Sequence, residues 1–160
     1  MSVVLAIFPN TRGIGFACIE RPNTLLDSGM ATVSPIVNGP MLKRAEKMMD
    51  FYRPTVVVVR DPGPESIRGK RITQLVEDIA KAAYGRKLSV RRYSRQQVKD
   101  VFETFGASTK HEIAQAIVRW LPELEKRAPE TRKPWMPEDY HMGVFDAAAL
   151  AYTYGYLEEW

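Results

Sequence analysis

A single cysteine, Cys18, leaves this 160-residue chain without an internal disulfide, which excludes a disulfide-stapled scaffold. Its alternating apolar context places Cys18 in a strand, as a small core residue. The chain has no Gly-rich phosphate loop, no zinc spacing and no nucleophile elbow, so nucleotide hydrolysis and acyl transfer fit poorly. No apolar run approaches the ~20 residues that span a bilayer. The amino terminus, MSVVLAIF, lacks a basic n-region and a cleavage site and reads as a strand, not a signal peptide. The cytoplasm of a microbe is the fitting compartment. Repeats and low-complexity tracts are absent.

What remains is ordinary for a globular domain: 45% hydrophobic and 26% charged residues, at a length that suits one domain over 1–160. The net charge is only +4, yet it is unevenly spread. Between Arg60 and Lys99 eleven basic residues face four acids, a block that suits either a phosphate backbone or a solvated helix face. Arg68, Lys70 and Arg71 fall at an expected helix start, where backbone amides already favour anions. Arg132 and Lys133 precede Trp135, a pattern that suits stacking on a nucleotide.

Period and punctuation set the elements. A continuous apolar strand spans 3–8, an alternating one 13–20 and a third 24–33, closing a meander. A helix follows Pro40 to about residue 53, and Pro54 ends it. Residues 55–59 make a β-branched strand buried on both faces. A helix over 66–84 and a strand over 88–93 come next. Ser94-Arg-Gln-Gln97 and Thr109-Lys-His-Glu112 each match the capping box, opening helices over 94–105 and 109–121. Four prolines make 122–137 an extended loop, and a last helix spans 144–159.

This order is α/β: a central mixed five-stranded sheet, strands 1–3 antiparallel and strands 4 and 5 parallel, flanked by helices. Three segments sharpen it. Ile7-Phe-Pro-Asn-Thr-Arg-Gly-Ile-Gly-Phe-Ala17 resembles the first hairpin of the RuvC Holliday-junction resolvases, where an aspartate precedes Pro-Gly-Ser-Arg. The stretch from Ser94 through Gly106-Ala-Ser-Thr-Lys-His-Glu to Val118 is similar to that family's segment in which a lysine opens a helix. Phe145-Asp-Ala-Ala-Ala-Leu-Ala151 resembles its carboxy-terminal helix. The resemblance spans nearly the whole chain and implies a ribonuclease H-like fold. It also implies homodimers, work in DNA recombination or repair, and DNA contacts at Arg12 and Lys110.

The family hydrolyses phosphodiesters with two Mg²⁺ or Mn²⁺ ions ~4 Å apart, held by four carboxylates. At the first of those positions this chain has Phe8, which carries no oxygen for a hard cation. At the second stands Arg60, with Asp61 next along on the opposite strand face unless the strand end twists or bulges. Asp146 matches the last acid, and Gly143 falls where the remaining one is expected. Glu138 and Asp139 lie upstream as candidate substitutes, and His141 is a further conceivable ligand. Arg60 is expected to pair with Asp146 or Glu138, a salt bridge replacing the metal.

Plainer roles stand beside these. Asp146 suits a helix-start cap or dipole partner, Asp139 and Glu138 loop acids, Asp61 a turn, His141 a structural histidine and His111 an exposed second-turn residue. Trp135, Tyr140 and Trp160 suit core or interface rings. Three functions follow: a nucleic-acid-binding protein that no longer cleaves; an active metal-dependent nuclease using Asp61, Glu138, Asp139 and Asp146; or an adaptor that uses the fold for protein contacts.

Overall fold

A computed structural model describes residues 2–21, 23–32, 36–63, 69–129 and 139–158. Five strands form one sheet in the order β3-β2-β1-β4-β5. They are β1 (Val3–Asn10), β2 (Gly13–Glu20), β3 (Thr24–Ala31), β4 (Val56–Asp61) and β5 (Ser89–Ser94). The first three pair antiparallel, and β4 runs parallel to both β1 and β5. The mixed sheet expected from the sequence is therefore present.

Strand alternation sends side chains to two cores. Leu5, Ile7, Cys18, Val57 and Val59 meet α1 (Asn38–Tyr52) and α2 (Lys70–Gly85) on one face. Val4, Ala6, Ala17, Val56 and Val58 meet α3 (Arg95–Glu103), α4 (Lys110–Trp120) and α5 (Met142–Leu157) on the other. The valine run of β4 is buried on both sides, as a central parallel strand requires. Within α5 the only charged residue is Asp146, and eleven of its sixteen residues are buried. A helix that is apolar all round belongs inside a fold, so its one carboxylate stands out. Burial pushes the Cys18 thiol up to about 12, with Asp27 and Glu20 adding to the effect. A thiol so protonated is a core residue and a poor nucleophile.

Local signals explain the element ends. Arg53 takes a left-handed φ of 48° and its N–H closes α1 onto the Met49 carbonyl, just ahead of Pro54. Both capping boxes form. The Ser94 hydroxyl accepts from the Gln97 amide, and Thr109 from that of Glu112, while the Gln97 and Glu112 side chains reach back. Replacing a capping hydroxyl costs about 1 kcal/mol. Thr109→Ala is accordingly expected to lower unfolding stability by that amount, read by chemical denaturation.

Several boundaries depart from expectation. β4 runs on to Asp61, because it keeps pairing with β5 through Asp61↔Ser94. The helix α5 begins two residues early, at Met142. The loop expected from Pro122 opens instead as a 3₁₀ helix, Pro122–Arg127, since proline at its first turn has no amide to waste. The described part of α2 starts at Lys70, and residues 64–68 lie outside the described residues.

Candidate functional site

The carboxyl ends of β1, β4 and β5 lie together, the end of a parallel sheet where ligands usually bind. The ladder sets Ile7 beside Val59, so Phe8 and Arg60 follow as neighbours on the face that α5 covers. Gly15 pairs with Phe8 and Tyr93 with Arg60, completing a row across four strands.

Phe8 and Arg60, the residues expected in place of two acids, are stacked on each other. The Arg60 guanidinium carbon lies 4.3 Å from the Phe8 ring centroid, and Nη1 donates to the Pro9 carbonyl at 2.9 Å. A desolvated cation–π contact of this kind contributes roughly 1–2 kcal/mol. Burial lowers the Arg60 pKa from its ordinary value; the Asp146 carboxylate opposes that shift and Arg95 reinforces it. The guanidinium stays protonated at any physiological pH.

This pair floors a cleft of about 730 Å³. Its walls include Arg95 and Lys99 from α3, Lys110 at the start of α4, and Asp146 from the second turn of α5. Lys110 Nζ stands 3.7 Å from Asp146 Oδ2, and the Asp146 side chain is 13% exposed. The salt bridge expected between Arg60 and Asp146 is thus corrected: Arg60 takes the ring and a carbonyl, and Lys110 is the cation beside Asp146. Among the described residues, four cations and two carboxylates, Asp146 and Asp61, line the cleft.

Gly143 is filled in another way. A Cβ there would meet Met30 Sδ at 2.5 Å and Asn10 Nδ2 at 2.9 Å. An acid at this position would therefore have to displace both side chains. On the opposite side, a Cβ on Gly15 would lie 2.1 Å from the Gly143 carbonyl oxygen. Two glycines let α5 settle directly on the first hairpin.

The other candidate acids are placed apart. Asp61 stays in register at the end of β4 without a bulge, and its carboxylate accepts from the Gly63 amide in a turn at the cleft rim. Asp139 is exposed; its Oδ1 accepts from the His141 amide and lies 3.6 Å from His141 Nδ1. Glu138 lies outside the described residues. Among the described residues no three His, Cys, Asp or Glu side chains come together to hold a metal. Among the described residues, two carboxylates set among four cations do not fit a pair of divalent ions, whose charge needs several anionic oxygens.

Among the expected nucleic-acid contacts, Lys110 enters the cleft and Lys70 is exposed at the first turn of α2. Arg12 sits in the hairpin turn, its amide held by Asn10 Oδ1 at 2.8 Å. Arg71 is structural. Its guanidinium donates to the Asn10 carbonyl at 3.2 Å and to Asn38 Oδ1 at 3.3 Å, tying α2 to the hairpin and α1. Arg68, Arg132, Lys133 and Trp135, with Trp160, lie outside the described residues. His111 is half-buried in the first turn of α4, not exposed in its second, and its Nδ1 is buried with no hydrogen-bond partner among the described residues. The Tyr140 hydroxyl bonds that of Thr32. Arg95 and Lys99 were not expected as cleft residues; their i, i+4 spacing after the Ser94 cap puts both on one face of α3.

Solved structures share this fold. The RuvC of T. thermophilus in complex with a Holliday junction substrate is 21% identical, with a TM-score of 0.72 over 99% of this chain and 96% of that one. The fold is RuvC's. A second Thermus thermophilus RuvC structure gives 22% identity and a TM-score of 0.69 over 98% and 95% of the two chains. The Fowlpox virus resolvase in complex with Holliday junction DNA gives 14% and 0.55 over 97% and 99%. No protein-family model and no curated protein matches the sequence. That fold is of the ribonuclease H-like type, and at the carboxyl end of its parallel strands this chain carries Phe8 and Arg60. Among the described residues no helix is long and apolar enough to cross a membrane.

Proposed function

We propose that this protein binds DNA, in preference to RNA, through the cleft end of its sheet and does not hydrolyse it. The Arg60–Phe8 stack carries this reading. It puts a fixed positive charge and an apolar ring where a metal-dependent site needs oxygen, so metal affinity falls while attraction for phosphate rises. Arg95, Lys99 and Lys110 around the same opening act in the same direction. The structural neighbours include two resolvases seen with Holliday junctions, which favours branched DNA as the ligand. A homodimer, implied by the family resemblance, would present two clefts to two strands.

The test scores binding and cleavage separately on four-way, duplex and single-stranded DNA and on RNA, with Mn²⁺ or with a chelator. Binding should be tightest for branched DNA, should weaken linearly on a log–log plot against salt, and should ignore the chelator. Lys70→Ala with Lys99→Ala is expected to weaken all DNA forms alike and to reduce the slope by about 2, near one for each phosphate no longer neutralised. Absence of affinity for any nucleic acid at ~50 mM salt would favour an adaptor role. Mn²⁺-dependent nicking abolished by Asp146→Asn would favour a nuclease with rearranged acids.

A further inference from the structure

We infer that Arg60 is a built-in receptor for one phosphodiester group, seated in the cleft where metal ions would otherwise hold it. The inference rests on the reading above that this face binds DNA.

The geometry gives three grounds. First, the guanidinium is fixed from two sides, by the Phe8 ring at 4.3 Å and by the Pro9 carbonyl at 2.9 Å. A long side chain held this way has already lost its rotamer freedom, so an arriving anion gives up little of that entropy. Second, only Nη1 is engaged, leaving Nη2 and Nε without an acceptor among the described residues. Those donors belong to a planar fork that matches two oxygens of a phosphate. Third, Arg95 and Lys99 line the same space, whereas Asp146 has Lys110 beside it. Arg60 and Arg95 repel each other, as the direction of the Arg60 shift records, and an anion between them relieves that repulsion. A phosphate held here needs no metal.

The ring makes Phe8 a positioning residue. It contributes nothing to phosphate directly but aims the fork. Replacing it by leucine keeps apolar bulk and removes the π face.

The decisive measurement is the salt dependence of binding to a four-way DNA junction, in the presence of chelator. Arg60→Gln should reduce affinity roughly tenfold and the log–log slope by about 0.9, the value for one phosphate. Arg60→Lys should keep the slope and lose part of the affinity, since it retains charge without the planar fork. Phe8→Leu should cost roughly threefold with the slope unchanged. If Arg60→Gln does not fold, a scan of single neutral methylphosphonates along the junction decides on the unaltered protein. One position with an outsized, roughly tenfold loss supports the seat, and uniform sensitivity overturns it. Unchanged affinity and slope in a folded Arg60→Gln variant would overturn the seat while leaving DNA binding standing. Failure of the unaltered protein to bind any DNA would remove both.

Discussion

Phe8→Asp combined with Arg60→Glu is expected to make the stability of this protein depend on a divalent metal. Two carboxylates would then stand on adjacent strand ends, facing Asp146 across the cleft. Without a cation these like charges repel, and the Phe8–Arg60 stack is gone, so the variant should lose roughly 2–3 kcal/mol in chelator. With Mn²⁺ it should regain that stability, because a ligand at a hundred times its Kd contributes about 2.7 kcal/mol. Thermal unfolding with and without Mn²⁺ reads the difference. Strand scission on branched DNA should appear or rise in the same variant. It should stay modest, since Gly143 still supplies no oxygen and an acid there must first displace Met30 and Asn10. Equal melting in Mn²⁺ and in chelator would mean that this pocket is not an emptied metal site.

A second large effect is expected from adding one methyl group. Gly15→Ala should cost about 3 kcal/mol or more, because its Cβ would lie 2.1 Å from the carbonyl oxygen and 2.4 Å from the carbonyl carbon of Gly143. Both atoms are backbone, on a helix buried against the sheet, so neither can swing aside. Gly39→Ala is the matching control: it lies in α1 with nothing within 4 Å of the added carbon. There alanine should be neutral or stabilising by up to ~1 kcal/mol. Chemical denaturation of the two variants compares them directly. If Gly15→Ala were as stable as the parent, α5 would not lie on the hairpin as described, and the position of Asp146 would fall with it.

Much of the fold could be read from the residues because its signals are local. The valine run of β4, the Arg53-Pro54 stop and the two capping boxes each act within a few positions, and each is present. Phe8 and Arg60 could be placed in neighbouring strands for the same reason, although β1 runs on to Asn10, two residues past the end expected at Phe8. Their mutual stacking could not, because it joins two distant stretches of chain and depends on the register of β1 against β4. Arg71 shows the limit from the other side. A basic residue at a helix start suggests a phosphate contact, yet its fork is occupied by an asparagine carbonyl 61 residues away. Gly143 is silent as a letter; only the close approach of α5 shows that Met30 and Asn10 fill its space. Arg95 and Lys99 belong to a basic block in the sequence, but only the packing of α3 beside β5 aims them at the cleft.

Mn²⁺ binding by the unaltered protein tests the central claim most directly. Electron paramagnetic resonance or calorimetric titration should find no saturable site at sub-millimolar metal, with melting and DNA affinity unmoved by a chelator. Two tightly held ions per chain, lost in Asp146→Asn, would contradict it.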